Sequence, residues 1–475
     1  TLVGNIMMKP GMIFHPNSTH KLDNLYGKKV AVLGFARQGK SLARWLPTIG
    51  ARVVVSDSRP YEKLASELTA FPDVEFILGA HPESLLDGVD LLCISGGVSP
   101  DLPIVQEAVK RRIPLSNDAE LFMERSPAPV IGITGSAGKT TTTTLTGEIL
   151  KRAGMTTWVG GNIGDVLLDV LPQIKKDDVV VMELSSFQLE LMTTSPRLGT
   201  ILNITPNHLD RHGTMENYIR AKANMIAHQG RTDTAVLGYD DGVSRSLAEI
   251  VAGHLVWFSG QSMVSDGAFM AGQRLLVVGR SSVNGEPKIV CEQKDIPLRG
   301  DHNVMNVLAA CAITGAAGVT ADVMEATIRD FKPVPHRLEV VRVVNDVTYI
   351  NDSIATAPER VLAALRSFKE PLVLLAGGKD KNLPWEEMIR LALTKCRHIV
   401  AFGDAADLVV SVVTQVAGNA DAVTRVSTLD EAVAQAAKRA QPGDIVLLSP
   451  GGTSYDAYID FVARGEHFRQ LVMGL

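Results

Sequence analysis

The stretch PVIGITGSAGKTTTTTLT, residues 129–146, sets a glycine-rich turn between an apolar β-branched run and a predicted helix, with Lys139 and Thr140 at the helix start. A turn of this kind can hold a nucleotide triphosphate. The backbone N–H groups of Gly135, Ser136, Ala137, Gly138 and Lys139 can converge on phosphate oxygens, and Lys139 can neutralise β/γ charge. The Thr140 hydroxyl, followed by Thr141, can reach Mg²⁺. The strict pattern GxxxxGK[ST] fails here, because Ile133 stands where its first glycine belongs. It is met instead by GFARQGKS, Gly34 to Ser41. Context separates the two loops. After the first, the chain returns through ARVVVSD and ends a strand on Asp57, roughly 20 residues on, the layout of a Rossmann-type dinucleotide or sugar-nucleotide unit. After the second comes DDVVVMELSS, a buried-looking strand that delivers Glu183 at its carboxyl end, where Mg²⁺ beside phosphates needs a carboxylate. ATP is therefore expected at the second loop and a nucleotide-like, non-hydrolytic role at the first. The alternative for each is a glycine turn that only packs a helix on a sheet.

Such loops need sheets to present them. At 475 residues the chain is too long for one core, and about three domains are expected. With 45% hydrophobic, 21% charged and 5% aromatic residues it reads as a soluble α/β protein. A net charge of -5 argues against nucleic acid or an anionic membrane as the main partner. Cys93, Cys291, Cys311 and Cys396 are scattered without CxxC spacing, as expected of buried thiols in a reducing compartment. No apolar run reaches the length of a transmembrane helix and no signal pattern opens the chain, so a cytoplasmic protein is expected. Residues 1–26 read as an extension.

Strand-like runs alternate with helix-like ones, which predicts parallel sheets covered by helices. The first block, residues 1–126, contains the strands KKVAVLG, ARVVVSD, VEFILG and LLCISGG and ends near ERSPAP, Glu124 to Pro129. The second, 127–335, contains WVGGNIG, VVVMELSS and GTILNIT, then a β-ribbon over about 253–298, so its sheet is expected to be mixed. The third, 336–475, contains VRVVNDVTYIND with an Asn345-Asp346 hairpin turn, then PLVLLAGG, HIVAFG and DIVLLSPGG. The first and third blocks share a doubly wound, Rossmann-like pattern.

Ligands in such sheets sit at the carboxyl ends of strands. Polar residues cluster there: Asn162, Glu183, His208, Lys222, Asn303 and Asn306 in the second block, and His336, Arg337, Asn351, Asp352, Lys381 and Ser454 in the third. The series GITGSAGKTTTT, VGGNIG, ELSSFQLE, NITPNHLDRHGTMENYIRAK, DHNVMN, PHRLE, NDSIAT and LLSPGGTSYD resembles the motif series of the Mur ligases, in the family's order from about residue 28 to the C-terminus. It is most similar to the glutamate-adding branch, and no DNPR-like tetrapeptide of the diaminopimelate- or lysine-adding relatives is present.

The resemblance implies an ATP-driven amide ligation of D-glutamate to UDP-N-acetylmuramoyl-L-alanine, through an acyl phosphate, by a monomer in peptidoglycan precursor synthesis. Carried over by motif, Thr140 and Glu183 hold one Mg²⁺ and His208 the second, with Lys139 as the phosphate cation. Lys222 matches the lysine that the family carbamylates, and so joins the metal site. Asn162 orients substrate; Asn306, Arg337 and Asp352 contact ATP. Gly34, Arg37, Gly39, Asp57, Ser58, Arg59 and Gly97 take the UDP moiety. Thr356, Lys381, Ser454, Tyr455 and Phe461 take the amino acid, a cation such as Lys381 suiting its carboxylate. A hinge is expected near Val334–Pro335.

Three departures surround the acceptor and metal sites. Ile354 replaces the lysine of NDSKAT, Asn207 replaces an aspartate before His208, and SPGGTS replaces SPACAS. They leave the same chemistry with L-glutamate open, and a folylpolyglutamate synthase-like ligase is the further alternative. A dehydrogenase built on the Gly34 loop leaves Lys139, Glu183 and His208 without purpose. A non-catalytic nucleotide-binding protein is expected to have lost the lysine or a metal ligand.

Overall fold

The computed structural model describes residues 22–475 except Gly97, Asp165, His208, Val283, Arg299, Pro333, Val334 and Asn382. Most of the 1–26 extension, the Val334 half of the expected hinge, and the candidate residues Gly97 and His208 thus lie outside the described residues. The chain divides into two compact units, Thr1–Leu121 and Phe122–Leu475. The division falls inside the helix Asp118–Arg125, just ahead of the ERSPAP stretch.

In the first unit, strands β1 (Lys29–Leu33), β2 (Arg52–Asp57), β3 (Val74–Leu78), β4 (Leu91–Ile94) and β5 (Leu115–Ser116) form a parallel sheet in the order β3-β2-β1-β4-β5. Val30, Ala31, Val32, Leu92 and Cys93 are fully buried, because the central strands of a parallel sheet are covered on both faces. The strand order reverses between β1 and β4, which brings their following loops together: Ser95 Oγ donates to the Gly34 carbonyl at 3.1 Å. Helix α1 (Arg37–Thr48) leaves the Gly34 loop.

The second unit holds two sheets. The larger contains β6 (Val130–Thr134), β7 (Thr157–Gly161), β8 (Val179–Glu183), β9 (Leu198–Ile201), β10 (Thr234–Gly238), β11 (His254–Ser259), β12 (Gly267–Ala271), β13 (Arg274–Gly279) and β14 (Gly285–Glu292), ordered β14-β13-β12-β11-β10-β9-β6-β8-β7. Strands β6 to β12 run parallel and β12-β13-β14 form an antiparallel meander, so the sheet is mixed as expected. Helices α2 (Lys139–Arg152) and α3 (Asp301–Ala316) bury Leu145, Ile149, Leu308 and Cys311 in one core with Ile133, Val181 and Val236.

The last sheet contains β15 (Glu339–Val344), β16 (Val347–Asn351), β17 (Leu372–Gly377), β18 (Cys396–Phe402), β19 (Val423–Arg425) and β20 (Ile445–Gly451), ordered β15-β16-β20-β17-β18-β19. Only β15 is antiparallel to its neighbour. The hairpin that joins it to β16 turns at Asn345 and Asp346, with φ of 49° and 62°, the left-handed pair that a two-residue primed turn requires.

Candidate active site

Strand β6 is buried at every residue and lies between β8 and β9, so its carboxyl end opens at the centre of the sheet. Ile133 is a strand residue there, paired with Glu183 and Thr200 and fully buried. That is why the missing first glycine matters little: the turn begins only at Gly135. Gly138, the residue before α2, has φ 86° and lies against the Asn306 side chain, where a Cβ has no room.

The loop is tied down from the segment after β9. Ser136 N–H donates to the Asn203 carbonyl and Ala137 N–H to Asn203 Oδ1, each at 2.9 Å. Ser136 Oγ also lies 2.9 Å from the Tyr218 hydroxyl. Neither Asn203 nor Tyr218 was singled out from the sequence. Tyr218 lies one helical turn before Lys222 in helix Met215–Ala223, spacing that puts both on one face.

Three charged groups meet at these strand ends. Lys139 Nζ donates to the Gly135 carbonyl at 2.8 Å, and burial, with the charges of Arg360 and Arg337, lowers its pKa to about 8 against the pull of Glu183. Lys222, 1% exposed, donates to the same carbonyl at 3.0 Å and to Thr134 Oγ1 at 3.2 Å, with the Tyr218 ring 4.9 Å away. Burial first, and then the charge of Lys139, holds its pKa well below the ordinary lysine value. Glu183 is 2% exposed. Its Oε1 accepts from Asn162 Nδ2 at 3.1 Å, while Oε2 is buried with no hydrogen-bond partner. An ionised oxygen in that state is costly unless a cation faces it. The chemistry fits a hard metal ion, which Thr140 at the start of α2 and Glu183 can hold. Among the described residues no cluster of three or more His, Cys, Asp or Glu forms a metal site.

Asn306 of α3 is buried, hydrogen-bonded to Asn303 at 3.0 Å, with Thr142 Oγ1 at 3.5 Å. Thr141 is buried and Thr140 half-buried. From the last sheet comes Arg337, flanked by His336 and Leu338 at φ of 63° and 44°. Left-handed non-glycine backbone costs about 1–3 kcal/mol per residue and persists only where its surroundings over-determine it. Here His336 N–H donates to Glu339 Oε2 at 2.9 Å, and Leu338 N–H to Asp352 Oδ1 at 3.2 Å. Burial, and then the charge of Arg360, lowers Arg337, whose Nε is buried without a partner. Asp352, 5% exposed, is raised to about 7 by burial, although Ser449 Oγ donates to it at 2.8 Å and Arg337 attracts it.

The acceptor-side candidates fall on loops of the last sheet. Thr356 N–H donates to the Ile354 carbonyl at 2.9 Å, Ser454 is buried, Tyr455 is 68% exposed, and Phe461 opens helix α4 (Phe461–Met473). Lys381 is exposed, and partial desolvation and Arg360 lower its pKa. Two arginines were missed. Arg360 is felt by Lys139, Arg337, Lys381 and Asp352. Arg464 is fully buried and donates to Ser353 Oγ and O, Gly452 O and Thr453 O at 2.9–3.2 Å, joining the NDSIAT and SPGGTS loops.

In the first unit, Asp57 accepts from Phe35 N–H at 2.7 Å and from Arg59 Nε and Nη2 at 2.8 Å. Burial alone raises Asp57; these bonds reverse that and hold it at about 2. Arg59 is thus folded onto Asp57, which itself fastens the glycine loop. Gly39 packs against the Gly34 carbonyl and Ser95, while Arg37 and Ser58 are exposed. Asn162, expected to orient substrate, is hydrogen-bonded to Glu183 in the second unit.

Three family descriptions match the chain in succession: "Mur ligase MurD-like, N-terminal domain" over residues 28–116, "Mur ligase middle domain" over 133–314, and "Mur ligase, glutamate ligase domain" over 336–452. The UDP-N-acetylmuramoylalanine–D-glutamate ligase of Pelotomaculum thermopropionicum is 41% identical over 454 residues, covering 94% of this chain and 98% of that protein. The chain belongs to the Mur ligase family. The like-named ligase of Alkaliphilus oremlandii is 39% identical over 95% of this chain and 99% of its own. Among solved structures, the Mur ligase UDP-N-acetylmuramate-alanine ligase MurC from Thermotoga maritima is 18% identical with a TM-score of 0.58, covering 94% of this chain and 99% of that one. A pseudomurein peptide ligase type C from Methanothermus fervidus is 20% identical with a TM-score of 0.56, covering 94% and 100%. These share the three-domain Mur ligase fold, and the three sheets here correspond to the three matched domains.

Proposed function

We infer that this chain is an ATP-dependent ligase that joins D-glutamate to UDP-N-acetylmuramoyl-L-alanine in peptidoglycan precursor synthesis. The observation that carries this reading is the buried Glu183 carboxylate, one oxygen unpartnered, beside Lys139 and Lys222 at the phosphate loop. It occurs in a chain 41% identical, over 94% of its length, to a ligase so named. The reaction begins with two anions: the substrate carboxylate attacks the γ-phosphorus of ATP, and ADP leaves. Lys139 and Arg337 lower the repulsion between them. The amine of glutamate then attacks the acyl carbon of the acyl phosphate, and the tetrahedral intermediate expels phosphate.

Magnesium, when bound, supplies further neutralisation of phosphate oxygens; Thr140 and Glu183 are the residues to hold one ion, and His208 the second. Burial lowers the pKa of Lys222 and so favours the free amine, the form that reacts with CO₂; Lys222 is thereby suited to carbamylation, which turns it into an anion able to join the metal. In this reading residues 1–126 bind the UDP part, 127–335 bind ATP and 336–475 bind glutamate. Among the described residues no helix is long and apolar enough to cross a membrane. We place the enzyme in the cytoplasm, where ATP and a nucleotide-linked precursor meet, and read it as a monomer, as the resemblance to the family implies. A folate-type ligase has no use for the first domain, whose match is to a MurD-like N-terminal domain.

Phosphate release with ATP, Mg²⁺ and UDP-N-acetylmuramoyl-L-alanine, compared for D-glutamate, L-glutamate and no amino acid, tests this. Release with D-glutamate only is expected. Release with L-glutamate only moves the specificity, and none with either returns the folate-type reading.

A further inference from the structure

The first turn of helix Pro358–Arg366 carries Arg360, an exposed cation to which neither the sequence motifs nor the ligase reading gives a task. Its Nη1 donates to the Ile354 carbonyl at 3.2 Å, the same oxygen that accepts from the Thr356 N–H. The Ile354 N–H donates in turn to the His336 carbonyl at 3.2 Å. The guanidinium is therefore linked through one residue to the strained turn that carries Arg337, and through a shared acceptor to Thr356. Its charge depresses Lys139, Arg337 and Lys381 together. A solvated arginine facing away from the site has no such reach over three separate loops. Its other side-chain N–H groups make no hydrogen bond to the described residues, so a planar fork is left open beside the acceptor-side candidates.

Ile354 stands where a lysine is expected from the family resemblance, and it brings no charge. We propose that Arg360 supplies the missing cation and receives a carboxylate of the incoming glutamate. The phosphate side of the cluster already has Lys139 and the loop N–H groups, whereas Arg360 shares its acceptor with Thr356 and acts on Lys381. A guanidinium reaching in from the first turn of the following helix can grip a carboxylate with two parallel hydrogen bonds, which a lysine at position 354 cannot. The two carboxylates of glutamate also relieve the repulsion among Arg360, Lys139, Arg337 and Lys381. This deepens the ligase reading and rests on it.

The test measures kcat and separate KM values for D-glutamate, ATP and the UDP-linked substrate in the wild type, R360A, R360K and the double variant I354K/R360A. Because Arg360 is exposed, all four are expected to melt alike. Loss of a charge-assisted contact predicts that R360A raises KM for glutamate about 10- to 100-fold while KM for ATP moves less than about 2-fold. Both R360K and I354K/R360A are expected to regain part of that loss. An unchanged KM for glutamate in R360A, or an equal rise in KM for ATP, overturns the proposal, the latter making Arg360 a phosphate cation. Absence of phosphate release by the wild type with either glutamate overturns the ligase reading itself, an outcome distinct from an active wild type and an indifferent R360A.

Discussion

Replacing Arg464 by methionine keeps most of the side-chain volume and deletes the guanidinium that joins two loops of the last sheet. Four acceptors lose a donor. Two keep another role: Thr453 O still accepts from Lys379 N–H at 2.8 Å, and Ser353 Oγ still donates to Phe461 O at 2.8 Å. The Ser353 and Gly452 carbonyls keep no other donor among the described residues. A stranded buried carbonyl costs about 1–3 kcal/mol, so the pair costs about 2–6 kcal/mol. Relief of burying a charge, whose cost is visible in the lowering of Arg464 to about 10, offsets part of this. The net expectation is a loss of about 3 kcal/mol, large against a typical stability of about 5–15 kcal/mol. Trp385, 1% exposed, is the one tryptophan between residues 336 and 475, so urea unfolding can be followed there once Trp45, Trp158 and Trp257 are replaced by phenylalanine. With a slope of about 1–3 kcal/mol per molar urea, R464M is expected to lower the midpoint by about 1–3 M, and R464K by less. A shift below about 0.3 M in R464M refutes the argument that the guanidinium fastens these loops. Because Ser353 and Thr453 adjoin Asp352 and Ser454, KM for glutamate is expected to rise in R464M as well.

The other expectations concern the charges at the strand ends. Glu183→Gln retains a partner for Asn162 but removes the anion, and is expected to lower kcat about 10²- to 10³-fold and raise the Mg²⁺ needed for half-maximal rate. An unaltered Mg²⁺ titration of phosphate release contradicts the metal role. If Lys222 is carbamylated, enzyme held in CO₂-free buffer loses activity and bicarbonate restores it; indifference to bicarbonate excludes it. Asp352 is raised by burial from 3.8 to about 7. The stability associated with its protonated form is therefore complete below about pH 3.8 and is lost as pH rises to about 7. Asp352→Asn does not titrate, so its melting temperature relative to wild type is expected to climb from pH 4 to 7 and level off above. A gap that stays constant over that range contradicts burial as the cause.

Local pattern was enough for much of the fold. The apolar runs at β1, β2, β6, β8, β17 and β20, the glycines that open α1 and α2, and the Asn345-Asp346 turn each declare their conformation within a few residues. Strand-end chemistry followed from the same runs, which is how Lys139, Glu183, Lys222, Arg337 and Asp352 could be singled out. The short strands β5 and β19 and the internal strand β10 escape a reading from sequence, since two or three residues carry no periodicity and the five-residue TAVLG run of β10 is too short to tell from a helix segment.

Which side chains meet was decided by tertiary structure alone. Ala137 and Asn203 are 66 residues apart, Ser136 and Tyr218 82, and Ser353 and Arg464 111, yet each pair is in hydrogen-bond contact. Ile133 looks like a defect in a glycine motif until its pairing with Glu183 shows that the position belongs to a strand. Arg59 reads from the sequence only as a cation for the UDP moiety, and the fold adds that it is paired with Asp57. Arg360 and Arg464 look like helix-surface cations of one kind, but one is exposed over the strand ends and the other is wholly buried. Residue type and spacing set what a side chain can do and which element carries it. Sheet order and register set which charges and dipoles face each other, and those long-range contacts fix burial, pKa and partnership.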